Sequence, residues 1–212
     1  MAGVTVTTNG GTAVMAADAV GAASSPGASE RIPYQKLDHG AAGSSSPVTV
    51  LNPLPVGQKI EWIQITPTLD TSIYASGDLL FDVTTITSAA LGSGGAVELV
   101  SCVVTDEDEQ GTAIDIYLTS SSTSWGSLNA AVAATDAMSR SIQAYVPIAA
   151  ADFKDIGGAL VAMPTTSKNM GIICETSGSA NLYAVGIVRS GTPTYTASGV
   201  RISLGFRQTA VS

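Results

Sequence analysis

Aromatic and charged side chains are both scarce in this sequence. Phe, Trp and Tyr make up 5% of its 212 residues and charged residues 12%, the latter about half the share in an ordinary globular chain. Mean hydropathy is positive at +0.31, yet no run of 18 apolar residues occurs. A membrane-spanning helix is therefore excluded, and no membrane partner is expected. Positive charge is missing altogether between Lys59 and Arg140, a stretch that carries eleven Asp and Glu. Such a surface repels phosphate, so no nucleic-acid partner is expected. Its ordinary reading is a solvated acidic face that keeps a weakly charged protein in solution, with docking to a basic partner as the alternative.

Histidine is nearly absent too. His39 is the only one, so any Ser-His-Asp triad or His-based zinc site would have to be built on it alone. The sequence has no Gly-x-Ser-x-Gly elbow with a base available, no phosphate-binding Gly-x-x-x-x-Gly-Lys-Ser/Thr loop, and no Gly-x-Gly-x-x-Gly opening a helix after a strand. The two cysteines, Cys102 and Cys174, sit inside apolar runs with no second Cys or His at metal-ligand spacing. They read as reduced thiols in a core rather than a disulfide. The opening Met1-Ala2-Gly3-Val4-Thr5 lacks the basic and apolar regions of a secretory signal, so the chain is expected to be made and used without export. No cofactor is expected, and the protein is not read as an enzyme.

What fills the space is Ala, Gly, Ser, Thr and Val, a composition suited to flat sheets, tight turns and broad protein contacts. Residues 1–30 are nearly uncharged and hold only Met1 and Met15 as bulky side chains. Such a segment cannot bury enough apolar area to offset its ordering entropy alone. A short helix over 12–20 is the one regular element expected there. Residues 31–58 follow as two extended pieces joined by a Gly/Ser hinge. Pro53 and Pro55 confine the second piece to an edge or an arm. Residues 1–58 are thus expected to form an extended N-terminal arm and hinge, and 59–212 a separate β domain.

From Lys59 onward the pattern is strand after strand. The expected strands are 60–66, 78–84, 96–105, 112–119, 141–148, 159–163, 170–175, 181–188 and 200–206, many separated by Gly/Ser turns. Short helices are expected only at 128–135 and 150–155. Eight or nine short strands with so little helix predict an all-β fold, a jelly-roll-like β-sandwich. The acidic run Asp106-Glu107-Asp108-Glu109-Gln110-Gly111 reads as the turn of a hairpin between two of these strands. Asp106, Asp108 and Gln110 are its candidate metal ligands, since alternating oxygens suit Ca²⁺ and Gly111 stands at the sixth position. Tyr117 occupies the twelfth, where a bidentate acid belongs, and a solvated turn is the simpler reading.

Residues 31–56 resemble a segment of structural proteins of tailed bacteriophages. An aromatic and a Lys (Tyr34, Lys36) precede Leu37-Asp38, then a Gly/Ser stretch over 40–46, then Asn52-Pro53-Leu54-Pro55-Val56. His39 departs from the pattern by lengthening the turn. The likeness extends through Ile73-Tyr74-Ala75-Ser76-Gly77-Asp78, Phe153-Lys154-Asp155-Ile156-Gly157, Leu182-Tyr183 and Gly191-Thr192-Pro193-Thr194-Tyr195-Thr196. It implies a virion location without deciding head or tail, and it carries over no functional residue. On this basis the expected role is a capsid decoration or cement protein on the outer surface of the virion, assembled in the host cytoplasm. Its expected partners are the major capsid protein and its own copies as a homotrimer. The partner-binding arm would use Tyr34, Lys36, Pro53, Leu54, Pro55 and Val56. A tail- or fibre-associated module that binds the host surface is the second reading, and a glycan hydrolase the third.

Overall fold

The computed structural model describes residues 59–164 and 170–208 in full, together with the backbone of four short strands nearer the N-terminus. The chain divides into two compact units, Met1–Pro55 and Val56–Ser212. In the first, β1 (Thr5–Thr8) pairs antiparallel with β2 (Gly11–Val14), Thr8 facing Gly11. The intervening pair in the sequence is Asn9-Gly10, the dipeptide that best suits a two-residue hairpin loop. Residues 12–14, expected to open a helix, are therefore strand. The β-branched Thr and Val of the paired strands outweigh the helix preference of the alanines; residues 15–20 lie outside the described residues. β3 (Asp38–His39) pairs with β4 (Ser46–Pro47), Asp38 opposite Pro47 and His39 opposite Ser46; the rest of the two extended pieces expected there lies outside the described residues.

The second unit is a two-sheet sandwich. Its strands are β5 (Lys59–Ile65), β6 (Leu79–Ile86), β7 (Ala96–Asp106), β8 (Ile114–Thr119), β9 (Ile142–Ile148), β10 (Phe153–Asp155), β11 (Leu160–Ala162), β12 (Ile172–Glu175), β13 (Leu182–Val188) and β14 (Val200–Gln208). One sheet has six strands in the order β10-β11-β7-β14-β5, with β12 also on β7; the other has four, β6-β13-β8-β9. All these pairings are antiparallel, and they nest. β5 pairs with β14, β6 with β13, β7 with β11 and β12, and β8 with β9. First meets last, second meets next-to-last, and so inward, as if one long hairpin had been rolled up. That is the jelly roll the strand pattern predicts.

The core lies between the sheets and is built of aliphatic residues, as so few aromatics require. Leu80, Phe81, Leu99, Ile116, Leu118, Ile202, Leu204 and Phe206 are fully buried in it. β7 shows how the sequence writes this. Val97 and Leu99 point inward, the phase slips at Val100-Ser101, and Cys102, Val104 and Asp106 resume. The slip matches a register shift opposite Gly205-Phe206 of β14, a bulge that lets an eleven-residue strand keep both halves facing the core. Cys102 and Cys174 are free and buried here, and burial pushes each thiol up to about 12. Tyr74 anchors the loop after β5. Its hydroxyl donates to the Leu80 carbonyl at 3.1 Å and accepts from the Asp70 N–H at 2.7 Å.

Three local expectations are corrected in this unit. The acidic run is no hairpin turn, because β7 and β8 belong to different sheets; the chain crosses from one layer to the other there. Residues 128–135 are not helical: 128–130 form a turn with Asn129 at φ +53°, and Ala131 bridges to Asp78. The backbones of Leu79 and Asn129/Ala130 exchange hydrogen bonds of 2.9 and 3.0 Å, and that pairing excludes a helix. The helix α1 (Asp136–Ser139) starts just beyond, where Thr135 caps it by accepting from the Met138 N–H at 3.4 Å. Over 150–155 a single 3₁₀ turn, Ala150–Asp152, gives way to β10. The Gly157-Gly158 turn folds β10 back on β11, and hairpin pairing overrides the helix preference of the alanines. That strand brings the expected nine of this unit to ten.

Candidate assembly surface

The outer faces of the two sheets differ. The β8–β9 connection, residues 120–141, folds over the four-stranded sheet and closes it. Trp125 and Met138 from that connection pack on Leu79, Val185 and Ile187 in a second apolar cluster. The Trp125 N–H donates to Asp82 Oδ1 at 2.8 Å. Beside this cluster Asp115 accepts from Arg189 Nε and from Tyr145 Oη at 3.1 Å, while Arg189 Nη2 donates to Tyr117 Oη at 2.9 Å. The rings of Tyr117 and Tyr145 lie 5.1 Å apart. Burial and the Asp115 carboxylate raise the Tyr145 hydroxyl above its usual range.

The six-stranded sheet carries no such cover among the described residues. Ile60, Trp62 and Gln64 of β5 alternate outward and are exposed, Ile60 and Trp62 at 58% and 59%. Directly opposite residues in an antiparallel pair share a face, so the registers map the surface in rows. One row runs Ile173 (β12), Glu98 (β7), Arg207 (β14), Ile60 (β5). The next runs Ser101, Gly205, Trp62. Gly205 gives the indole its seat: a Cβ there would stand 3.6 Å from Trp62 Cε2 and 3.2 Å from Ser101 Cβ. Ile173 is exposed at 68%. Between the apolar groups the charges are matched, Arg207 with Glu98 at 2.6 Å and, farther along, Arg201 with Glu107 at 2.5 Å. Exposed pairs of this kind add little stability, but they balance these charges on the face. An exposed Trp among aliphatic residues on such a face has the make-up of a contact surface.

The acidic turn is braced from within. Asp106 is buried and accepts from the N–H groups of Asp108 and Gly111 at 3.1 and 2.8 Å. Burial raises its carboxyl above the ordinary range, against the pull of those hydrogen bonds. Asp108 accepts from the Thr196 N–H at 2.7 Å and Oγ1 at 2.9 Å, and Gln110 Oε1 from the Thr194 N–H at 3.1 Å. Asp106 thus braces the turn from inside, while Asp108 and Gln110 tie it to the β13–β14 loop. Gly111 has φ +58° and faces Leu160, so this position calls for glycine. No group of three His, Cys, Asp or Glu that could hold a metal ion occurs among the described residues. Tyr34, Lys36, Pro53, Leu54, Pro55 and Val56, expected as the partner-binding arm, lie outside the described residues. Trp62, Ile60 and Ile173 went unnoticed as candidates. The available signal was that Ile60-Glu61-Trp62-Ile63-Gln64-Ile65 places large apolar residues on both parities, one more face than a core needs.

No protein-family model matches the sequence, and no curated protein matches it. Among solved structures, one of desmodium yellow mottle tymovirus is 11% identical over 84% of this chain and 97% of that one, with a TM-score of 0.25. One of the infectious bursal disease virus Gx strain is 14% identical over 85% of this chain and 43% of that one, with a TM-score of 0.18. Both superpositions are too loose to establish a shared fold.

Proposed function

We propose that this chain is a non-enzymatic structural protein of a virus particle, one that decorates and cements a tailed-phage capsid. It sits on the outer surface of the virion, against the major capsid protein and its own copies, as a homotrimer assembled in the host cytoplasm. The observation that carries this reading is the inequality of the two sheet faces. One is closed by the chain's own 120–141 connection, and the other has no cover among the described residues and carries Trp62, Ile60 and Ile173 exposed. A freely circulating protein has no use for such a face; a protein that works by lying against neighbours does. The weak charge and small-residue composition, and the resemblance of residues 31–56 to phage structural proteins, support the same reading. The N-terminal arm, with Tyr34, Lys36, Pro53, Leu54, Pro55 and Val56, supplies a second attachment.

The test is a cryo-EM map of the intact particle with a copy count. Density for this chain on the shell in hundreds of copies is the expected result. A few tens of copies or fewer, confined to the tail, would replace this reading with the host-binding one. Light scattering of the purified chain tests the trimer, and a mass that is no multiple of three chains refutes it.

A further inference from the structure

The open face ends at an open edge. Among the described residues β5 pairs only with β14, so no described strand takes up the N–H and C=O groups on the other side of its seven residues, Lys59-Ile60-Glu61-Trp62-Ile63-Gln64-Ile65. Proteins ordinarily blunt such an edge with prolines, bulges or a row of lysines. β5 has no proline, its pairing with β14 runs without a register shift, and its single lysine sits at its very end. An edge that is long, regular, unprotected and flanked by an exposed tryptophan is a template for another strand.

We propose that the strand it accepts is β5 of a second copy, paired antiparallel about a two-fold axis that passes beside Trp62. In that register all seven residues are used. Trp62 faces Trp62 of the other copy, Ile60 faces Gln64, Glu61 faces Ile63 and Lys59 faces Ile65. The two indoles form an aromatic cross-strand pair, the favourable kind, and no charge meets its like. The neighbouring registers are worse. Centring the axis on Glu61 sets two carboxylates against each other. Centring it on Ile63 pairs five of the seven residues, and centring it on Ile60 pairs three. Registers that set Trp62 opposite an inward residue turn the second copy over and divide the apolar surface between two sides. The two-fold at Trp62 instead joins both six-stranded sheets into one continuous sheet, with Ile60, Trp62 and their counterparts in a single apolar strip. A contact of this kind is self-complementary, as a two-fold interface requires. It is separate from the three-fold association above and would link one trimer to the next.

Cysteine substitution reads the register directly. Directly opposite residues in an antiparallel pair have Cα atoms about 4.5–5.5 Å apart, inside the range a disulfide spans. Cys102 and Cys174 are buried and do not compete. In the full-length chain under mild oxidation, Trp62→Cys is expected to give a disulfide-linked dimer on a non-reducing gel. Ile60→Cys and Gln64→Cys alone should remain single chains, and the I60C/Q64C double variant should cross-link. Trp62→Lys, which sets two ammonium groups against each other, should halve the mass of the wild-type assembly in light scattering with an unchanged circular dichroism spectrum. No cross-link at position 62, equal cross-linking at all three positions, or an unchanged mass for Trp62→Lys would overturn the proposal. None of these readouts depends on where the protein sits on a particle, so the virion reading can fail while this contact stands, and the reverse.

Discussion

Adding one methyl group at Gly186 should damage this sandwich more than its size implies. Gly186 lies in the middle of β13 at a register shift, opposite Phe81 of β6. A Cβ built there would stand 2.7 Å from Phe81 Cζ and closer still to two other ring carbons. The ring is wholly buried, so it has no open space to swing into. Glycine is needed for this approach and not for an unusual backbone angle. Overpacking of this kind costs about 1–3 kcal/mol, and so deep an overlap belongs at the upper end. Gly→Ala recovers about 0.4–1 kcal/mol by restricting the unfolded chain. The net expectation for Gly186→Ala is a loss of about 2 kcal/mol, a fall in Tm of about 4–8 °C for a chain of this length. Urea unfolding of the full chain, followed by fluorescence of the buried Trp125, measures it. Phe81→Leu should itself destabilise, because it leaves a cavity, but it makes room for the methyl group. The double variant should therefore exceed the additive expectation by about 1 kcal/mol or more, as residues in direct contact do. A neutral Gly186→Ala, or strict additivity of the pair, would show that the contact with Phe81 does not limit this position.

Other outcomes follow from the same coordinates. The Asp106 carboxyl is raised in the folded state, so its contribution to stability is present below the ordinary carboxylate range and is lost as pH rises through the folded value. Asp106→Asn should accordingly be more destabilising relative to wild type at pH 4 than at pH 7 in paired urea titrations; the opposite trend refutes the assignment. Cys102 and Cys174, each held near 12 by burial, should resist a thiol reagent at pH 8 in the native protein and react fully in denaturant. Arg189→Met removes the cation that faces the nearly buried Asp115. Because Arg189 is itself partly exposed, the expected loss is about 1–2 kcal/mol rather than that of a fully buried pair; no change in the urea midpoint would count against it. The stretch between Lys59 and Arg140, free of positive charge, should leave the protein without saturable DNA binding at physiological salt in a filter-retention assay.

The strands were legible because strand formation is written locally. Val97-x-Leu99 and Cys102-x-Val104, on either side of the slip, each place core-facing residues at a period of two, and the short apolar run over Leu182–Val188 ended by Ser190-Gly191 marks a strand buried on both faces. The all-β class, the apolar setting of both cysteines and most strand positions to within two residues come from such signals alone. Partnership is another matter. Whether Asp106–Gly111 turns back on itself or crosses between layers depends on β14 and β13, about a hundred residues away in sequence, claiming the neighbouring places beside β7 and β8. Local preference also yields wherever a remote backbone offers hydrogen bonds. The alanine-rich 128–135 segment is kept out of a helix because Leu79 bonds the backbone of Asn129 and Ala130, and Phe153–Asp155 is a strand because β11 is there to receive it. Trp62 shows the same division most sharply. Its residue type and strand were readable, but its side chain is exposed because Gly205 and Ser101, from two other strands, form the shallow seat beneath it while no described strand covers the far edge. The sequence by itself settles which residues can form strands and which side each can turn to a core. Only the nested, long-range pairing of those strands decides which face is buried, which is left open and where the sheet ends.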